Sequence, residues 1–224
     1  MSMLQAEGVS RVLEGEVPVT LVRDIDVTFE AGEFCAITGP SGSGKSSLLY
    51  LLGLLDVPTE GRISIEDAAT SSLPSDALAD VRLGKLGFVF QFHFLLQEFT
   101  IRENVALPIR KLGRLAEPTA LARAESLLEE LGLGDKTRKY PHQLSGGERQ
   151  RAAVARALAN DPLIVLADEP TGNLDRRNGS IVFDIFERLA KEQGRTVITV
   201  THDPSLAARA GRRITLVDGR IQEP

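Results

Sequence analysis

The chain has 224 residues, 42% hydrophobic and 25% charged, with 26 Lys+Arg against 31 Asp+Glu and a formal net charge of -5. That mixture is too apolar for a disordered chain and long enough for one large domain or two closely joined lobes. The net acidity removes the basic footprint of a nucleic-acid binder, so no nucleic-acid partner is expected.

A single cysteine, Cys35, rules out an internal disulfide framework and suits a reducing compartment. The N-terminus shows no basic region followed by an apolar core, so no signal peptide is read there. Apolar runs such as Leu86 to Gln97 fall short of the roughly 20 residues of a spanning helix. The expected location is the cytoplasm, and work across a membrane would need separate partner chains.

Between Val17 and Ile65, short β-branched runs (VTLVRDIDVTF, FCAIT, RISI) broken by Ala-Gly-Glu and Thr-Glu-Gly turns read as strands, interrupted by one helix from Ser46 to Leu55. Pro74 to Arg82 reads as a short helix and Leu86 to Phe90 as a buried strand. From Thr100 to Leu131 the period turns helical, with Leu121, Ala124, Leu127, Leu128 and Leu131 on one face before Gly132. A helix from Glu148 to Ala159, the strand LIVLA, a helix from Ile181 to Glu192, the strand TVITV and a last strand pair around RITLV and Gly219-Arg220-Ile221 complete the chain. Strands alternating with helices predict a parallel, helix-covered sheet, an α/β fold with the middle helices inserted into it.

The stretch Gly39-Pro40-Ser41-Gly42-Ser43-Gly44-Lys45-Ser46-Ser47 stands between a strand and a helix, which is the setting of a phosphate-binding loop. Its glycines let backbone N–H groups converge on phosphates. Lys45 would reach the β- and γ-phosphates, the Ser46 hydroxyl would ligate Mg²⁺, and the positive end of the helix would face the anion. The strand LIVLADEP ends in two carboxylates. Asp168 is suited to support Mg²⁺, and Glu169 to polarise a water attacking the γ-phosphate.

In LSGGERQR, Ser145-x-x-Glu148 is a capping box. Gly146 and Gly147 weaken the helix but expose further N–H groups at its N-terminus, making a second anion site. Two phosphate-binding ends about one hundred residues apart suggest two copies pairing head to tail with nucleotide between them.

These motifs together resemble the nucleotide-binding subunit of an ATP-binding-cassette (ABC) transporter over essentially the whole chain. The resemblance implies a phosphate-loop NTPase core of RecA type, with an N-terminal antiparallel β subdomain and an inserted α-helical lobe, all in one domain: residues 1–91 and 160–224 as core, 92–159 as lobe. It also implies that Gln91 senses Mg²⁺, that His202 contacts the γ-phosphate, and that Asp175, in Gly172-Asn173-Leu174-Asp175, lies along a dimer interface. One feature of the family is missing. The aromatic residue that usually stacks on adenine would fall near Val12, and no Phe, Tyr or Trp precedes Phe29; looser base selectivity is expected.

Phe92, His93, Phe94 and Phe99 crowd the segment after Gln91. They serve either as packing between lobe and core or as a socket for a short helix of a membrane subunit. This stretch, with LADEPTGNLD, resembles the lipoprotein-releasing (LolD-like) subfamily and its macrolide-exporter and cell-division relatives, and QFHFLL and EFTIRENVALP look closest to the lipoprotein-releasing members. The resemblance thus implies an ATPase that drives integral membrane subunits at the cytoplasmic face of the inner membrane. A soluble cluster-assembly or division-signalling ATPase is the alternative.

Overall fold

The computed structural model describes residues 2–70 and 73–222. Two sheets organise it. Strands β1 (Ser2–Leu13), β2 (Val19–Glu30), β4 (Glu60–Ile65) and β5 (Ala68–Ala69) form an antiparallel sheet of order β2-β1-β4-β5. β2 alternates inward residues (Val27, Phe29) with exposed ones, as a one-sided sheet requires. The β4–β5 turn places Glu66 and Asp67 at φ 50 and 60, the positive values of a tight hairpin.

The second sheet joins β3 (Phe34–Thr38), β6 (Leu86–Phe90), β7 (Ile164–Asp168), β8 (Thr196–Val200), β9 (Arg212–Val217) and β10 (Arg220–Gln222) in the order β10-β9-β3-β8-β7-β6. All its pairs are parallel except β9–β10. β8 is buried at every position and β7 at all but its last, as expected of strands covered on both faces. The parallel strands therefore end side by side. The loops after β3, β8, β7 and β6 open on one edge, where α/β sheets hold their ligands.

The helices are α1 (Lys45–Leu52), α2 (Ser75–Lys85), α3 (Ile101–Leu112), α4 (Glu117–Glu130), α5 (Gly146–Ala157), α6 (Arg176–Lys191) and α7 (Pro204–Ala207). α3 begins with a capping box, Thr100 with Glu103, and ends at Gly113 (φ 71). The inserted helices bury Val105, Leu127, Leu128 and Val154 in one cluster with Phe183, Phe186 and Val197, so α5 and α6 weld the insertion to the sheet.

Several boundaries differ from the sequence reading, among them the end of α1, which stops at Leu52 and not Leu55. β1 was absent from it because the register shift between Ala6 and Val9, around Gly8, breaks the period of two. The stretch 100–131 is two helices, parted after Gly113. α6 starts at Arg176 instead of Ile181 because Asp175 caps it, accepting from the Asn178 N–H at 2.8 Å. α5 starts at Gly146, immediately after the Ser145 cap.

Cys35 is fully buried in β3, and burial pushes its thiol up to about 12. The native protein should therefore resist iodoacetamide at pH 8 and react once denatured. Alkylation of the folded chain at the rate of a free thiol would contradict this placement of β3.

Candidate functional site

The loop between β3 and α1 is built by backbone geometry. Gly44 takes φ 93 at the N-cap of α1, and a Cβ there would lie 2.2 Å from the Leu21 carbonyl, so only glycine fits. Lys45 Nζ donates to the carbonyls of Gly39 (3.0 Å) and Pro40 (2.7 Å), which hold the ammonium against the loop. The Ser43 hydroxyl is buried in the loop without a hydrogen-bond partner among the described residues. An anion accepting from this donor, the ammonium and the N-terminus of α1 suits the site.

A cavity of about 530 Å³ collects Gly39, Ser41, Gly42, Gly44, Lys45, Ser46 and Ser47 from the loop with Glu169 and His202 from the ends of β7 and β8. Glu169 sits at φ 44, and its N–H bonds the Val200 carbonyl at 3.0 Å. A non-glycine residue held in the left-handed region beside a ligand cavity marks a functional position. Its Oε2 lies 3.3 Å from His202 Nδ1, and the His202 side chain is 64% exposed.

Asp168, one residue earlier, receives hydrogen bonds from both Ser46 Oγ and Tyr50 Oη, each at 2.8 Å. Burial, then the bond to Asp168, pushes the Tyr50 phenol up to about 12, so it stays a donor. Ser46 and Asp168 are hard oxygen donors, two in number. Among the described residues no group of three or more His, Cys, Asp or Glu could hold a metal. This sparse oxygen set fits Mg²⁺, which keeps waters and takes substrate phosphates as further ligands.

Gln91 follows β6, which β8 and β7 separate from β3 and its loop. Its amide lies against Gly172, where a Cβ would come within 2.8 Å of Nε2, and its carbonyl accepts from Asn173 Nδ2 at 3.4 Å. Ser145, Gly146, Gly147 and Asp175 are not part of the wall of their own chain's phosphate cavity. They cluster elsewhere. Ser145 accepts from the Glu148 N–H, and the Asp175 carboxylate takes both the N–H and Nδ2 of Asn178, which holds it below the usual carboxylate range.

Gly147 has a packing reason as well, since a Cβ there would meet Asn178 Oδ1 at 2.2 Å. Gly146 has room, with its nearest such contact Leu174 at 3.8 Å. The N-terminus of α5 therefore adds no residue to the wall of the cavity that the phosphate loop lines.

The aromatic segment divides. Phe92 and Phe94 are each 63% exposed, with Phe94 at φ 45. His93 is instead structural: Nε2 accepts from Arg149 at 2.9 Å, and burial with Arg149 and Arg156 nearby pushes its pKa down. Arg156 donates to the carbonyls of His93 and Phe94, and the buried Gln150 to that of Phe90. None of these α5 clamps was legible as functional in the sequence; nor was buried Asn104, which bonds the backbone of Leu96 and Phe99. Beside the segment, a groove of about 630 Å³ runs between α2 and α3, with Leu55, Phe88, Phe90 and Pro108 along it and Asp80 and Lys111 at its walls.

Comparison with known proteins fits this geometry. The profile of the family described as "ABC transporter" matches residues 22–172, from β2 through both carboxylates. The chain belongs to the ABC transporter family. It is 46% identical over 222 residues to the "Lipoprotein-releasing system ATP-binding protein LolD 1" of Chlorobium chlorochromatii (98% of this chain, 90% of that one). It is 47% identical over 219 residues to the LolD protein of Aquifex aeolicus (98% and 96%).

Among solved structures, the dimeric ATP-binding cassette MJ0796 bound to ADP and Pi superposes with a TM-score of 0.92 at 39% identity, covering 99% of this chain and 97% of that one. CbiO1 of Clostridium perfringens, part of an ABC transporter complex, superposes at 0.88 with 25% identity (99% and 87%). The fold is thus that of an ABC ATPase cassette, and the chain is an ATP-binding, ATP-hydrolysing member of the family.

The missing aromatic near Val12 has a structural counterpart. Val12 pairs with Thr20 in the β1–β2 hairpin, and the cavity wall there consists of Val19, Thr20 and Leu21. Aromatic stacking on a base is worth about 1–3 kcal/mol, and an aliphatic wall forgoes it for every purine alike. ATP and GTP should bind within about tenfold of each other, measured by displacement of a fluorescent nucleotide; GTP binding weaker by far more would contradict it.

Proposed function

We propose that this chain powers a lipoprotein-releasing system of the inner membrane, as two copies closing head to tail on MgATP and pushing integral membrane subunits from the cytoplasmic face. The relatives named for lipoprotein release, matched over nearly their whole length, support the cargo. MJ0796, dimeric in its own structure, supports the pairing. Among the described residues no helix is long and apolar enough to cross a membrane, so the membrane-spanning part is assigned to other chains. The observation that carries the reading is the exposed pair Phe92 and Phe94, on a segment that Arg156 holds by the carbonyls of His93 and Phe94, next to both Gln91 and the α2–α3 groove.

In this reading the backbone N–H groups from Gly39 to Ser47 and the Lys45 ammonium bind the β- and γ-phosphates, with Pro40 and Ser43 shaping the loop. Ser46, Asp168 and Gln91 would hold Mg²⁺, which when bound would offset charge on the phosphate oxygens. Ser145, Gly146 and Gly147 of the second copy complete the γ-phosphate site, and Asp175 lines the seam between copies. Glu169 takes the proton of the attacking water while His202 keeps that water in line. Residues 92–159 move as a lobe against 1–91 and 160–224, and the groove beside Gln91 passes this motion to a short helix of the membrane subunit.

The test is a pull-down of the Glu169→Gln form from native membranes with MgATP. Co-purifying integral membrane subunits with large extracytoplasmic domains are the expected result. Soluble partners alone would overturn the transport reading in favour of cluster assembly, and a peptidoglycan-enzyme regulator would overturn it in favour of division signalling.

A further inference from the structure

We propose that Tyr50 is a positioning residue for the metal-supporting carboxylate, an inference that rests on the assignment of Asp168 to Mg²⁺. Ser46 and Tyr50 stand four residues apart on α1 and so project from one face of the helix. That face meets the end of β7, and the two hydroxyls divide Asp168 between them: Ser46 takes Oδ1 and Tyr50 takes Oδ2, each at 2.8 Å.

The two bonds have different fates. Ser46 Oγ and Asp168 Oδ1, bonded to each other here, are the two oxygens that would be offered to Mg²⁺. Oδ2 keeps the Tyr50 hydroxyl, which becomes the anchor fixing the carboxylate's rotation. The Tyr50 ring is itself fixed: it packs edge-on against Phe90 with centroids 6.4 Å apart, and Phe90 is the register partner of Asp168 in the sheet. A preoriented carboxylate loses less freedom when it takes up its ligand.

Phe90 also precedes Gln91 and contacts Phe94 at 5.6 Å, so the anchor sits at the inner end of the aromatic row that reaches the exposed segment. The phenol thus ties the helix of the phosphate loop to the strand that carries Gln91.

Tyr50→Phe removes only the hydroxyl and keeps the ring contact with Phe90. The measurement is the affinity of a fluorescent ATP analogue as Mg²⁺ is titrated, made on the Glu169→Gln form so that turnover does not intrude. In EDTA, Tyr50→Phe should bind as the parent does. With Mg²⁺, the concentration giving half of the tightening should rise about tenfold, the low end of what losing a partner that orients a metal ligand costs in metal affinity. An unchanged Mg²⁺ midpoint, or a loss of affinity equal in EDTA and Mg²⁺, would overturn the positioning role.

Asp168→Asn serves as the reference. If it too keeps the parental midpoint, the assignment of Asp168 itself fails; if it abolishes the Mg²⁺ effect while Tyr50→Phe does not alter it, only the Tyr50 inference fails. Should Tyr50→Phe not fold, a second measurement remains. The chain has two tyrosines and no tryptophan, so Tyr140→Phe leaves Tyr50 as the one emitter. Mn²⁺ with nucleotide should then quench its emission, and emission indifferent to Mn²⁺ would overturn the proposal.

Discussion

Glu169→Gln is expected to lower ATP hydrolysis by about 10²–10⁴-fold, the range a general base contributes, while ATP still binds. Glutamine keeps the shape of the side chain and an acceptor oxygen for His202 Nδ1, now 3.3 Å from Glu169 Oε2, but it cannot take a proton from water at neutral pH. The backbone at φ 44 and the bond from its N–H to Val200 are indifferent to the change, so the cavity retains its form. ATP that binds but is not cleaved keeps the two copies closed. Phosphate release measures the first effect, and size exclusion with light scattering in MgATP the second. Hydrolysis within tenfold of the parent would remove the base assignment, and a variant that stays monomeric with ATP would remove the closed pair.

The second large effect comes from mixing two crippled chains. Lys45→Ala loses the ammonium of the phosphate loop, and Ser145→Arg places a bulky cation where γ-phosphate donors are needed, so each variant alone should be nearly inactive. In an equimolar mixture, half the pairs combine the two variants. Each such pair has one site made of an intact Lys45 and the other chain's intact Ser145. About a quarter of the parental activity should return, because a two-fold pair holds two equivalent sites. The observation behind this expectation is that the phosphate cavity includes Lys45, Glu169 and His202, but no residue of the α5 N-terminus. A mixture no more active than its components would place the whole site in one chain.

The sequence shows the fold and the phosphate site unevenly, and the reason is the range of the interactions. The loop from Gly39 to Ser47, the carboxylates at the end of β7 and the Ser145–Glu148 box are local patterns, each dictated by backbone geometry within a few residues, and they stand at the element ends where the sequence reading put them. The strand β1 was hidden because its pairing with β2 and β4 crosses a register shift that erases the alternation. Contacts over long sequence separations left no pattern to read. Tyr50 meets Asp168 across 118 residues, and Arg156 reaches the carbonyls of His93 and Phe94 across the face of α5.

His93 shows the same limit from the other side. In sequence it is one of four aromatics after Gln91, while in the structure it is a neutral acceptor for Arg149 and leaves Phe92 and Phe94 as the exposed pair. Gly147 likewise reads as an anion donor, and the approach of Asn178 adds a steric demand that no sequence pattern announces.

The central claim is that each hydrolytic site is shared between two copies. Its most direct measurement is the specific ATPase activity of the purified parent chain, followed as protein concentration is raised through the range where pairs form. The account predicts that activity per chain climbs with concentration and levels off once pairing is complete. Activity per chain that stays constant down to dilutions where light scattering finds only monomer would contradict it.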